Sequence, residues 1–132
     1  MSCAETGAGG CTKRDLVASK LAWMVWGVPI ALVAVGALWG AARVLLWAPS
    51  LVVMGAACVA NAARCGRLHC YLTGPLFLLG AVATILDSLE VVRIGSEWIL
   101  GGLVMGSALG FGLEWARGRY VGRDSPAGRF AA

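Results

Sequence analysis

The sequence is short of charge. Lys, Arg, Asp and Glu make up 14% of its 132 residues, against roughly 25% in a soluble domain. That leaves too little polar surface to cover a globule in water. Polar and apolar residues do not alternate, as the strands of a membrane barrel would require. No basic face carries interleaved aromatics, which excludes a nucleic-acid partner. The cysteines lack the C-x2-C spacing of zinc modules, and there is a single histidine. There is no internal repeat, no second domain and no visible quinone or flavin signature.

What the sequence has is apolar length. Hydrophobic residues make up 59% of it, and the mean hydropathy is +0.78. Uninterrupted apolar runs of about 18 residues or more read as membrane-spanning helices. Four runs predict spans at about 21–42, 44–63, 71–92 and 98–115, the third staying apolar to Leu86 and fading through Val92. The expected fold is all-α: a polytopic membrane protein with four transmembrane helices in a single bundle. The first run is far longer than the roughly 7–15 residue core of a signal peptide, so cleavage is not expected.

Local signals refine this plan. Residues 1–20 read as a mobile tail, although Thr12 to Asp15 fits a capping box. Pro29 predicts a kink in the first span, and the first hairpin is tight around Arg43. "TGP" predicts a helix starting at Thr73, with Thr73 as N-cap and Pro75 in the first turn. Residues 117–132 form a basic, glycine-rich tail. Gly102, Gly106 and Gly110 share one face of the fourth span, a pattern that lets helices approach closely in lipid. Packing inside one bundle is the ordinary use of such a seam, and a homo-oligomer or a larger membrane partner is the other.

With four spans, both tails share a side with the Arg64–Cys70 loop. That side holds Lys13, Arg14, Lys20, Arg64, Arg67, Arg117, Arg119, Arg123 and Arg129, leaving only Arg43 and Arg93 opposite. The positive-inside rule then predicts cytoplasmic termini. Trp23, Trp26, Trp39, Trp47, Trp98 and Trp115 all fall near span ends, where amphipathic rings favour the interface.

Cys3, Cys11, Cys58, Cys65 and Cys70 all fall on the cytoplasmic side or in the inner half of a span. Reducing conditions there argue against structural disulfides, leaving metal binding, redox chemistry or plain packing. Arg64 and Arg67 flank Cys65, and a helix N-terminus follows Cys70; both favour thiolate. Thiolates select soft metals. The expected ligands are Cys65 and Cys70, with His69 as a borderline third. Cys58 is an intramembrane relay, and Cys3 with Cys11 is a mobile acceptor pair. Their ordinary readings are a small core hydrophobe for Cys58 and an interfacial polar group for His69. Asp87 and Glu90 are a candidate outer cation-collecting pair. Alternatively they form a solvated helix end, with Glu90 paired to Arg93.

"CYLTGPLFLLGA" (Cys70 to Ala81) resembles a stretch of the bacterial mercuric-ion transport proteins, where cysteine precedes a Gly-Pro-Leu that opens a membrane helix. The resemblance implies a small inner-membrane protein that passes Hg(II) between cysteines, with Cys70 and Cys65 as ligands. The family has adjacent cysteines in its helix, whereas here Cys70 stands alone. The function expected is therefore binding or transport of a soft heavy-metal cation, mercury first, in a protein that is not an enzyme and has no resident cofactor. The alternatives are an accessory membrane subunit and a membrane thiol–disulfide oxidoreductase.

Overall fold

A computed structural model describes residues 22–117. Cys3, Cys11, the Thr12–Asp15 signal and both tails lie outside the described residues. Within them the chain is helices and short connections. A π-helical turn, Trp23–Gly27, leads into α1 (Val28–Leu38). A 3-10 turn, Gly40–Ala42, leads into α2 (Arg43–Cys65). Then follow α3 (Leu68–Ser88) and α4 (Ser96–Arg117). Three helical stretches are long and apolar enough to cross a membrane: Gly40–Arg64, Leu68–Ser88 and Ser96–Ala116. The apolar helix Trp23–Leu38 is shorter.

The boundaries differ from the expected ones for identifiable reasons. The first run reaches only Leu38, because Trp39 leaves helical geometry (φ −109°, ψ 88°). Residues 40–42 are therefore turned toward α2, and the hairpin tip lies at Trp39–Gly40 rather than around Arg43. Upstream, Pro29 has no N–H and crowds the carbonyl four residues before it. The π turn absorbs that misfit, with the Val28 N–H bonded to the Trp23 carbonyl.

The third helix starts at Leu68, not at Thr73, so the expected N-cap role of Thr73 is overturned. Gly66 ends α2 in the left-handed region (φ 63°), and its N–H donates to the Ala62 carbonyl at 2.8 Å. Glycine takes that conformation without a Cβ penalty. Arg67 is extended (φ −72°, ψ 122°) and helix resumes after it. The connection is thus two residues long. Thr73 is interior, its hydroxyl donating to the His69 carbonyl at 2.9 Å, and Pro75 also lies inside the helix. Membrane helices tolerate interior proline because neighbouring groups satisfy the freed carbonyl. At its far end α3 stops at Ser88 rather than fading through Val92. Glu90 takes a positive φ of 57°, and the Asp87 carboxylate accepts from the Ile94 and Gly95 N–H groups at 3.0 and 3.1 Å.

The most extensive interface is α2 with α3, followed by α3 with α4 and α1 with α2. Glycines set the closest approaches. A Cβ on Gly55 would stand 3.1 Å from the Gly74 carbonyl oxygen, and one on Gly74 would stand 3.2 Å from the Val59 nitrogen. Here the backbones of α2 and α3 nearly touch. Trp47 departs from its expected interfacial place: it is buried between α1 and α2, its indole N–H donating to the Val33 carbonyl at 2.8 Å. Gly36 makes the room, since a Cβ there would lie 2.7 Å from the indole. Trp23, Trp39, Trp98 and Trp115 are exposed. Leu45, Leu79 and Leu109 also point outward, as expected where the solvent is hydrocarbon.

Candidate functional site: a buried thiol pair with a His–Glu–Arg cluster

The close α2–α3 approach brings two thiols together. Cys58 lies seven residues before the end of α2 and Cys70 in the first turn of α3. Both are fully buried and both are free. They face one another across the α2–α3 boundary, where Thr73 of α3 reaches Cys58 and Asn61 of α2 reaches Cys70. Thr73 Oγ1 stands 3.2 Å from Cys58 Sγ. Because that hydroxyl already donates its proton to the His69 carbonyl, the Cys58 S–H is the donor. Asn61 Nδ2 donates to Cys70 Sγ at 3.6 Å, a cross-helix bond from the last turns of α2.

His69 sits between the thiols and α4. Its Nδ1 bonds to Glu114 Oε2, and its Nε2 stands 3.3 Å from Cys70 Sγ. A carboxylate only accepts, so Nδ1 carries the proton. In the neutral ring Nε2 is then the acceptor, receiving the Cys70 S–H. The imidazole stacks on Phe111, with ring centroids 4.4 Å apart. Arg67 Nη2 reaches Glu114 Oε1 at 3.3 Å. One carboxylate on α4 therefore joins the α2–α3 connection to the histidine. Gly110 allows α4 this close: a Cβ there would meet Thr73 at 3.3 Å and His69 at 3.6 Å.

Beside the cluster lies an apolar groove of about 500 Å³. Trp26 of the π turn, Ile30 of α1, and Leu100 and Val104 of α4 line it, together with the buried His69 and Thr73. Among the described residues α1 and α4 share no extensive packing, so the groove is open between them.

The expected ligand set maps onto this geometry unevenly. Cys58, His69 and Cys70 come together. Cys65 is the last residue of α2, and its side chain, like Cys3 and Cys11, lies outside the described residues. Among the described residues no group of three or more His, Cys, Asp or Glu side chains is arranged to hold a metal ion. The arrangement therefore does not fit a closed structural zinc site, which needs four ligands. Two facing thiols can still offer a two-coordinate site. Asp87 is engaged by the loop backbone. Glu90 pairs with Arg93 at 3.4 Å on the exposed surface, matching the solvated-end alternative. Of the glycine seam, Gly106 meets Leu76 and Gly110 meets Thr73, but a Cβ on Gly102 would meet nothing within 4 Å.

Glu114, Asn61 as a thiol partner and the Gly55–Gly74 contact are the parts that the sequence expectations leave out. Glu114 had a signal: it continues the four-residue spacing of Gly106 and Gly110, the one acid within that apolar run. Comparison with protein-family models, curated proteins and solved structures gives no match. The resemblance to mercuric-ion transport proteins thus rests on the quoted residues themselves.

Proposed function

We propose that this is a small membrane protein that binds a soft heavy-metal cation through Cys58 and Cys70 and passes it along its cysteines. The single observation that carries this reading is the pair of buried free thiols facing one another across adjacent helices. Soft cations favour thiolate ligands, and mercury(II) is content with two in a line. Two thiols exchanging two protons for one divalent cation leave the site's charge unchanged. That suits a buried place where any net charge is costly. A monovalent cation on two thiolates would leave a buried negative charge, so the pair favours a divalent soft ion.

In this reading α1 completes a four-span protein with both termini in the cytoplasm, on the side of Arg64 and Arg67. Cys65, two helical turns along α2 from Cys58, is the next ligand toward that side, and Cys3 and Cys11 accept from it. In a Cys3→Ser/Cys11→Ser/Cys65→Ser background, purified protein dialysed against mercuric chloride with excess glutathione is expected to retain one mercury per chain. Cys58→Ser and Cys70→Ser are each expected to abolish retention, measured as metal content. Retention unchanged in both variants would overturn the assignment.

The same pair favours a second reading, dithiol–disulfide exchange. The two thiols would reduce a partner disulfide and become the Cys58–Cys70 disulfide, the two protons passing to the partner's thiols. A stable, reversible Cys58–Cys70 disulfide in protein isolated without reductant, together with no mercury retention, would place this reading first.

A further inference from the structure

The two thiols have no exposure of their own, so a cargo must reach them through a gap in the protein. The groove between α1 and α4 is such a gap, and the thiols' own partners line it. His69 and Thr73 are among its buried lining residues; His69 Nε2 is 3.3 Å from Cys70 Sγ and Thr73 Oγ1 is 3.2 Å from Cys58 Sγ. The rest of its lining is apolar apart from Ser107 and the Trp26 indole. Among the described residues no carboxylate, lysine or arginine lines it. A hydrated cation entering there would lose its water and gain no charged ligand in return. A neutral, lipid-soluble molecule meets no such barrier, and pockets of this size and lining are typical of apolar ligands.

We infer that the thiols are loaded sideways from the bilayer, by a neutral soft-metal complex carrying labile halide ligands. This rests on the two-thiol reading above and adds the form and route of the cargo. The step balances as ligand exchange. A metal–halide bond breaks, a metal–sulfur bond forms, and the thiol proton leaves with the halide as HX. Repeated at the second thiol, it gives a neutral bis-thiolate complex, and the metal's oxidation state does not change.

The route is testable without any metal. In a Cys3→Ser/Cys11→Ser/Cys65→Ser background reconstituted in liposomes, the remaining thiols are labelled and followed by intact mass. Two probes are compared: neutral methyl methanethiosulfonate and its cationic trimethylammonium-ethyl analogue, each scaled to its rate with glutathione. The neutral probe is expected to react at least tenfold faster. Val104→Trp, or the milder Ile30→Phe should the first fail to fold, is expected to slow it severalfold by filling the groove. Gly102→Trp, at a position that touches nothing, is expected to leave the rate unchanged. Equal scaled rates for the two probes, or equal effects of Gly102→Trp and the groove variants, would overturn the route. Mercuric chloride, neutral at high chloride, is then supplied to the same proteoliposomes. Groove-limited labelling without mercury retention would overturn the metal as cargo while leaving the lateral route standing. Retention that is indifferent to Val104→Trp and Ile30→Phe would overturn the route alone.

Discussion

Glu114 is the residue on which the polar cluster turns. It is nearly buried, and it accepts from both His69 and Arg67. Removing one member of a buried ionic network leaves the others desolvated without their partner, at a cost of about 3 kcal/mol or more. Glu114→Ala is therefore expected to lower stability by that order, read as the unfolding midpoint in detergent. Glu114→Gln, which keeps a carbonyl oxygen for the His69 N–H, is expected to lose markedly less. Equal losses would mean that side-chain bulk, and not the accepted hydrogen bonds, is what Glu114 supplies. Ionisable groups at membrane depth are costly and commonly sit at working sites, and Glu114 lies on the helix face that points at the thiols. In the sequence it is one acid near the end of an apolar run. Only its register with Gly106 and Gly110 separates it from an ordinary helix terminus.

Among the helices, the α2–α3 pair decides whether a site exists. Gly55 and Gly74 let the two backbones meet, and Cys58 and Cys70 each lie about one turn from them toward the α2–α3 connection. Gly74→Leu has no room beside the Val59 nitrogen and is expected to push the helices apart. Oxidative cross-linking of Cys58 to Cys70, read by mass after alkylation, should then fall to a small fraction of the parent's. Undiminished cross-linking would show that the thiols are held together by something other than this approach. The α4 seam behaves unevenly in the same terms: Gly110→Leu is expected to disturb the His69 cluster, and Gly102→Leu to be silent. The helices themselves were legible as apolar runs, because length and hydropathy report membrane immersion directly. Which cysteines meet was not. Spacing along the chain pointed to Cys65 and Cys70, but contact across helices depends on crossing geometry, and that is set by the Gly55–Gly74 approach, with Gly74 packed on Cys58 itself. The start of α3 was misplaced for a related reason. "TGP" is a sound capping signal in water, whereas within a membrane helix proline and threonine are accommodated in the interior.

For the whole molecule, the distribution of charge makes the sharpest prediction. Arg64 and Arg67 stand at one end of the described helices, and Asp87, Glu90, Arg93 and Glu97 at the other. Single cysteines placed at Ser88 and at Gly66 in a cysteine-free background are expected to label from opposite sides of intact cells, with Ser88 outside. Labelling of Gly66 from outside would invert the orientation and move the thiol pair toward the external face. That inversion would also favour exchange with external disulfides over metal delivery inward, so the topology and the chemistry are tied.

The two-residue connection through Gly66 and Arg67 has a consequence for how the protein is made. A hairpin this tight can enter the bilayer as one unit before α4 has left the ribosome. Cys58 and Cys70 then meet early, while the acid that braces their histidine is still held in the ribosome. The nascent hairpin thus carries an assembled thiol pair whose α4 side is still uncovered. During that interval its sulfurs are open to oxidants and stray metals, and the arrival of Phe111 and Glu114 closes it.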